Sequence, residues 1–327
     1  MRRPILIDTD PGVDDALALV YALNCPALEL VGVTTVHGNV SVERSTRNAL
    51  GLLELARPDL EIAVARGAAE PLGGLARREV DFVHGAEGLG ETPILSPRRA
   101  PDPRPAWAFI RDQVMARPGE VTLCAIGPMT NLALALQHAP EIASRVAGVV
   151  VMGGAVNVPG NITPQAEYNV WADPLAADAV LAAPWSVTLV GLDVTTQVVC
   201  TDDDFAGIAQ AAPRVGGFLA RAARFYVAFY RRAAGIPGCH LHDPSAMIAL
   251  SHPAYFSGTS MPLTVLQEGE ARGCTVPLDR GPAPGAHVAE PPAGRPAVQV
   301  LDQVDARAVK AALMLTLAAA DRGAPSP

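Results

Sequence analysis

Four aspartates fall within eight residues near the start of the chain, in the run Ile5-Leu6-Ile7-Asp8-Thr9-Asp10-Pro11-Gly12-Val13-Asp14-Asp15. Like charges held this closely repel and raise one another's pKa, so the grouping makes sense around a cation. Carboxylate oxygens select a hard ion, calcium or magnesium, over zinc or copper. Aspartates also cap helix N-termini, where negative charge suits the dipole, but capping accounts for only one or two of the four. Two chemistries compete for such a strand end. In a phosphoryl-transfer site the first aspartate of Asp8-Thr9-Asp10 would be the nucleophile, with magnesium alongside. That chemistry normally recruits a lysine, and the one lysine here, Lys310, lies in a C-terminal amphipathic segment. In a metal-dependent glycosidase, carboxylates and amide oxygens beneath a sugar stabilise the positive charge that builds on its ring as the glycosidic bond breaks.

The elements that must position these residues alternate. Short β-rich apolar runs are followed by stretches with apolar residues three and four apart, the pattern of βαβ units around a parallel sheet buried on both faces. Strands are expected over residues 4–7, 28–35, 61–65, 121–126, 147–152, 186–192, 262–266 and 297–300, and helices over 14–23, 42–56, 131–138 and 174–182. The expected fold class is α/β, an open, mostly parallel Rossmann-like sheet flanked by helices, with residues 1–327 forming one catalytic domain. Ligands of such sheets sit outside the carboxyl ends of the strands, so Asp8-Thr9-Asp10, His37-Gly38-Asn39, Gly127-Pro128 and Met152-Gly153-Gly154 would share one rim. Two Pro/Gly-rich tracts, 96–105 and 281–296, read as surface excursions, and 323–327 reads as a frayed tail.

Composition narrows the function classes. Hydrophobic residues make up 50% and charged residues 18%, too apolar for a disordered chain. With 25 basic against 33 acidic residues the net charge is −8, which offers no positive field to nucleic acid or an anionic membrane. Five scattered cysteines without a Cys-x-x-Cys pair match neither a disulfide framework nor a structural zinc site and fit a reducing, cytoplasmic compartment. The apolar run before Asp8 is too short for a signal peptide, and no stretch approaches the roughly 20 apolar residues of a membrane span.

The aspartate segment closely resembles the Asp-Thr-Asp-Pro-Gly-x-Asp-Asp-Ala signature of the nucleoside hydrolase family, inosine-uridine preferring type. The resemblance continues in the family's order through Thr34-Thr35-Val36-His37-Gly38-Asn39, His84-Gly85 with Gly88-Leu89-Gly90, Ile126-Gly127-Pro128-Met129-Thr130-Asn131 and Met152-Gly153-Gly154. Gly160-Asn161-Ile162-Thr163-Pro164, Ala166-Glu167-Tyr168-Asn169 with Asp173-Pro174, His242-Asp243-Pro244, and Arg272-Gly273 before Asp279 complete it. Ordered matches over nearly the whole chain are far more specific than a lone Asp-x-Asp.

The resemblance implies a ribonucleoside hydrolase that releases ribose and a purine or pyrimidine base, with calcium held by Asp10, Asp15, Asp243 and the backbone carbonyl of Ile126. Family members commonly have threonine at that last position, and a carbonyl ligand tolerates the change. Asp14, Asn39 and Asn169 would hold the ribose, with Asn161 and Glu167 toward its 5′ end and Met152 also against the substrate. A homodimer or homotetramer and a role in nucleoside salvage are likewise implied. Asp10 is the candidate general base and His242 the candidate acid for the departing base. If residues 240–242 are extended, His240 and His242 point the same way, and either could serve. His84 lies in a loop resembling the one that closes over the nucleobase. Tyr226 and Tyr230 belong to an aromatic stripe that reads either as core or as a grip on the base. His37, His138, His252 and His287 read as structural. The readings left open are a calcium-dependent nucleoside- or sugar-binding protein without turnover and, more remotely, a haloacid-dehalogenase-type phosphatase. Purine against pyrimidine preference stays open, because it depends on how residues 72–92 and 225–242 close over the pocket.

Overall fold

The computed structural model describes residues 2–278 and 294–322. Asp279, His287, most of the 281–296 tract and the 323–327 tail lie outside the described residues. The strands are β1 (Arg3–Thr9), β2 (Leu28–Thr35), β3 (Val64–Arg66), β4 (Thr122–Ala125), β5 (Gly148–Met152), β6 (Val187–Val190), β7 (Val199–Thr201), β8 (Gly238–His240), β9 (Phe256–Val265), β10 (Thr275–Pro277) and β11 (Ala297–Val304). The helices are α1 (Val13–Asn24), α2 (Val42–Ala56), α3 (Asp81–His84), α4 (Ala106–Ala116), α5 (Thr130–His138), α6 (Tyr168–Ala172), α7 (Pro174–Ala182), α8 (Leu192–Thr195), α9 (Asp202–Ala211), α10 (Val215–Ala234), α11 (Asp243–Ser251) and α12 (Ala306–Leu317).

Nine strands form one sheet in the order β10-β9-β11-β6-β5-β4-β1-β2-β3. All neighbours from β11 to β3 run parallel, while β9 lies antiparallel to both β11 and β10. The expected open, mostly parallel α/β sheet is therefore present. Strand β1 shows why it is buried on both sides: Ile5 and Ile7 point into a core shared with α1, α2 and α11, and Leu6 into the opposite core with α4, α5 and α7. A period-two side-chain alternation in an all-apolar run fits a central strand covered by helices on both faces. β7 and β8 pair separately as an antiparallel ribbon.

Boundaries moved where packing overrides local pattern. The strand expected over 61–65 is reduced to Val64–Arg66, and the one expected over 262–266 begins instead at Phe256. The first half of β9 is exposed and polar, Ser257-Gly258-Thr259-Ser260, and its strand conformation comes from pairing with β11 rather than from an apolar run. Among the described residues no helix is long and apolar enough to cross a membrane.

Candidate active site

The carboxyl ends of the central strands converge on one cavity of about 370 Å³. Asp14, Asn39, His84, Ile126, Met152, Asn161, Glu167, Asn169, Tyr226, Tyr230, His240, His242 and Asp243 all line it, so most of the expected site residues are brought together. Asp10 and Asp15 are fully buried and do not line it themselves; Asp15 is bonded to the lining residue Asn39 through its side chain and Asp10 through the Asn39 amide. β1 delivers Asp10, the β2 end delivers Asn39, the β4 and β5 ends deliver Ile126 and Met152, and α11 opens with Asp243.

The aspartate cluster is held in fixed orientations. Asp15 Oδ1 accepts from Thr9 Oγ1 at 2.5 Å and from the Asp10 amide at 3.3 Å, while its Oδ2 accepts from the Gly12 amide at 2.8 Å and Asn39 Nδ2 at 3.1 Å. Asp15 is thus the residue that does cap α1, and capping indeed explains only part of the cluster. Asp14 Oδ2 accepts from the Tyr226 hydroxyl at 3.1 Å. Asp10 Oδ2 accepts the Asn39 amide at 2.7 Å, while its Oδ1 is buried with no partner. Burial raises every one of these carboxyls: Asp14 to about 6, Asp15 upward, and Asp10 and Asp243 well above the ordinary range, with mutual repulsion adding to it.

The donor set suits a metal ion. Asp14, Asp15 and Asp243 each offer an oxygen, and these oxygens lie within 4.8 Å of one another. Asp10, whose Oδ1 is buried without a partner, is tied to this group through its amide, which donates to Asp15 Oδ1. Among the described residues no arginine or lysine lines the cavity to neutralise them. An all-oxygen, multiply anionic, buried set is what a hard divalent cation requires. The grouping differs from the expected ligand set of Asp10, Asp15, Asp243 and Ile126: Asp14, not Asp10, completes the three-carboxylate cluster with Asp15 and Asp243. The Ile126 carbonyl accepts from Asn169 Nδ2 at 3.0 Å and keeps a second lone pair.

Beyond the cluster, Glu167 caps α6. Its Oε1 accepts from the Asn169 amide and its Oε2 from the Gly154 and Val170 amides, and burial raises its pKa to about 7. Asn161 Oδ1 holds the Tyr168 amide at 2.9 Å. The opposite wall is aromatic. His84 stacks on Tyr226 with centroids 5.2 Å apart, Tyr226 meets Tyr230 edge-on at 5.0 Å, and Tyr230 meets His240 edge-on at 5.0 Å. The aromatic stripe is therefore core and cavity wall at once. His84 Nδ1 accepts from the Val13 amide at 3.1 Å, which leaves its proton on Nε2, and burial depresses its pKa to about 4.

β8 ends at His240, and His242 turns into the start of α11, so the two rings are not on one extended segment. They remain 5.8 Å apart, but both nitrogens of His242 are engaged: Nδ1 with Thr195 Oγ1 at 2.8 Å and Nε2 with the Tyr230 hydroxyl at 2.7 Å. Burial and the neighbouring His240 lower the His242 pKa to about 3. Of the histidines expected to be structural, His138 stacks on Trp107 and His252 on Tyr255, while His37 is buried against Thr130. Sequence reasoning missed Thr195, whose tie to His242 comes from α8, and Phe82 and Phe229 near the mouth. Phe229 carried a signal, the helical spacing of the stripe, whereas Thr195 carried none.

Against known proteins, residues 5–311 match the model of the inosine-uridine preferring nucleoside hydrolases. Uridine nucleosidase 1 of Arabidopsis thaliana is 40% identical over 281 residues, covering 86% of this chain and 83% of that protein. The non-specific ribonucleoside hydrolase RihC of Escherichia coli is 40% identical over 279 residues, 85% of this chain and 89% of its own. The solved structure of the plant nucleoside hydrolase PpNRh1 superposes with a TM-score of 0.91 at 37% identity, covering 98% of this chain and 100% of that one. With the aspartate-floored cavity, the sheet order and these likenesses in agreement, the chain belongs to the inosine-uridine preferring nucleoside hydrolase family.

Proposed function

We propose that this protein is a calcium-dependent ribonucleoside hydrolase that splits uridine and related ribonucleosides into ribose and free base. The observation that carries the reading is the buried cluster of Asp14, Asp15 and Asp243, with the unpartnered Asp10 oxygen nearby, at a cavity lined by Asn39, Asn161 and Asn169 and by a histidine–tyrosine wall. Uridine is chosen because the Arabidopsis relative is named a uridine nucleosidase, while the name of RihC argues for tolerance of other bases.

Asp10, Asp15, Asp243 and the Ile126 carbonyl would hold the calcium, which when bound supplies Lewis-acid activation of water and a seat for the ribose hydroxyls. Asp10 is built to act as the base. Its Oδ2 accepts the Asn39 amide and keeps a second lone pair for the ion, so the free Oδ1 receives the proton from water as the oxygen adds to C1′. Asp14, Asn39 and Asn169 orient the ribose, Asn161 and Glu167 stand at its 5′ end, and this ring of carboxylate and amide oxygens stabilises the positive charge that develops on the sugar. The C1′–N bond breaks with its electron pair going to the base, which must gain a proton.

His84 is neutral at pH 7 and presents an Nε2–H, a donor for an acceptor on the base. His242 is neutral too, and its Nε2 is bonded to the Tyr230 hydroxyl, so Tyr230 gives the proton to the departing base and regains one as Asp10 releases the proton it took from water, with His242 holding the hydroxyl in place. A cytoplasmic homodimer or homotetramer acting in nucleoside salvage completes the reading.

The test is a reducing-sugar assay with uridine, cytidine, inosine and adenosine, with calcium and after exhaustive chelation. Ribose release that chelation abolishes and calcium restores supports the proposal. Intact nucleoside recovered from calcium-loaded protein would favour the binding-protein reading instead.

A further inference from the structure

Asp10 is oriented by a loop rather than by its own strand. Besides the Asn39 amide on Oδ2, the backbone crowds the carboxylate: a Cβ on Gly38 would lie 1.9 Å from Oδ2, and one on Gly127 would lie 2.5 Å from Oδ1. Any drift of residues 37–39 is therefore transmitted directly to the carboxylate.

Backbone bonds from the His37 amide to the Ala68 carbonyl and from the Val80 amide to the Asn39 carbonyl hold that loop, and a buried chain of side chains from three different segments adds to them from the other side of His37. His37, 1% exposed, meets Thr130 Oγ1 through Nε2 at 3.0 Å. Thr130, at the start of α5, donates to Asp173 Oδ2 at 2.6 Å. Asp173 also accepts the Leu72 amide on Oδ2 at 2.9 Å and the Ala176 amide on Oδ1 at 3.0 Å, so it is anchored to the start of α7 and to the segment at Leu72. The proton count follows. Thr130's one hydroxyl proton goes to Asp173, so Thr130 can only accept from His37, and the His37 proton must sit on Nε2. His37 Nδ1 then carries a lone pair that is buried with no partner. Leaving such a group unsatisfied costs about 1–3 kcal/mol, so the arrangement is not explained as a stabilising contact alone.

We propose that His37, Thr130 and Asp173 form a positioning chain that fixes residues 37–39 so that the Asn39 amide holds one Asp10 oxygen and leaves the other free for the water. The inference rests on the reading of Asp10 as the base. None of the three residues needs to touch substrate or metal, and Thr130 and Asp173 do not line the cavity.

The test is Thr130→Val against Thr130→Ser, with two readouts. The first needs no turnover: the amide-proton resonance of Asn39, set downfield by its short bond to a carboxylate, is followed by NMR in the two variants. The second is steady-state kinetics on uridine with calcium. In Thr130→Val the Asn39 resonance should move upfield and kcat should fall about 10- to 100-fold, as expected for an ångström-scale misplacement of a reacting group, with KM changing much less. Thr130→Ser, which keeps the hydroxyl, should restore both. If the valine variant does not fold, His37→Gln, whose side-chain amide can replace the Nε2–H, is compared with His37→Leu, and only the leucine variant should lose activity. An Asn39 resonance that stays put in a folded Thr130→Val protein overturns the positioning chain whatever Asp10 does. A resonance that moves while kcat holds sinks the role of Asp10 orientation, and the proposal with it.

Discussion

Removal of calcium is expected to lower the melting temperature of this protein by about 4 °C at neutral pH, and by progressively less as the solution is acidified. The buried carboxyls set the expectation. Burial lifts the Asp14 pKa from 3.8 to about 6, so keeping that one group ionised at pH 7.5 costs the folded chain about 3 kcal/mol relative to the unfolded one. Between those two pKa values the metal-free native state holds a proton that the unfolded chain has released, so stability falls as pH rises through that window; Asp10, Asp15 and Asp243 are raised in the same direction. A bound divalent ion offsets this burial cost together with the repulsion among Asp10, Asp15 and Asp243. At a calcium concentration of about 100 times Kd the native state gains about 2.7 kcal/mol. An unfolding entropy of about 2.1 cal/mol/K per residue amounts to about 0.7 kcal/mol/K over 327 residues, which gives the shift of about 4 °C. Protons compete with the ion for the same oxygens, so the shift should shrink below about pH 6.

The buried histidines act oppositely and must be separated out. His37 and His84 have pKa values of about 4 and His242 of about 3, all below 6.5, so acidification through that range charges them first in the unfolded chain and destabilises the fold. The His37 contribution is common to both samples and cancels in the difference between calcium-loaded and chelated melts at each pH, while His84, beside Asp14, and His242, next to Asp243, would also feel the bound ion, which makes their protonation harder still. Scanning calorimetry from pH 5 to pH 8 reads that difference. A chelated protein that melts with the calcium-loaded one at pH 7.5, or a calcium shift equally large at pH 5, would refute the reasoning.

Asp10→Asn should keep the fold, judged by circular dichroism, and lose turnover on uridine by at least about 1000-fold; near-normal rates would remove Asp10 as the base. Tyr230→Phe and His242→Ala should both slow uridine far more than p-nitrophenyl riboside, whose phenolate leaves with little need of a proton, and equal losses on the two substrates would mean that these residues position rather than protonate. Gly38→Ala places a methyl 1.9 Å from Asp10 Oδ2, so kcat should drop about 100-fold in a protein that still melts cooperatively; wild-type kcat would show that the cradle yields.

The parallel sheet and the rim of the site were legible in the sequence because apolar strands such as Ile5-Leu6-Ile7 run straight into polar residues, and because the carboxylates cluster along one short segment. Segments whose structure comes from remote partners were not legible. β9 is a strand because β11 pairs with it, and Thr195 matters because His242, 47 residues away, turns toward it at the start of α11. The histidines make the same point most sharply. Residue type alone suggests a titrating acid near neutral pH, yet burial depresses both His84 and His242, and the bonds made by their ring nitrogens decide what each can do. A buried neutral imidazole is a poor free acid but a well-oriented donor or relay. On the proposed mechanism the proton for the base then comes from the Tyr230 hydroxyl that His242 holds rather than from His242 alone, and this is why the leaving-group comparison, rather than the loss of activity alone, is the informative experiment on this wall of the cavity.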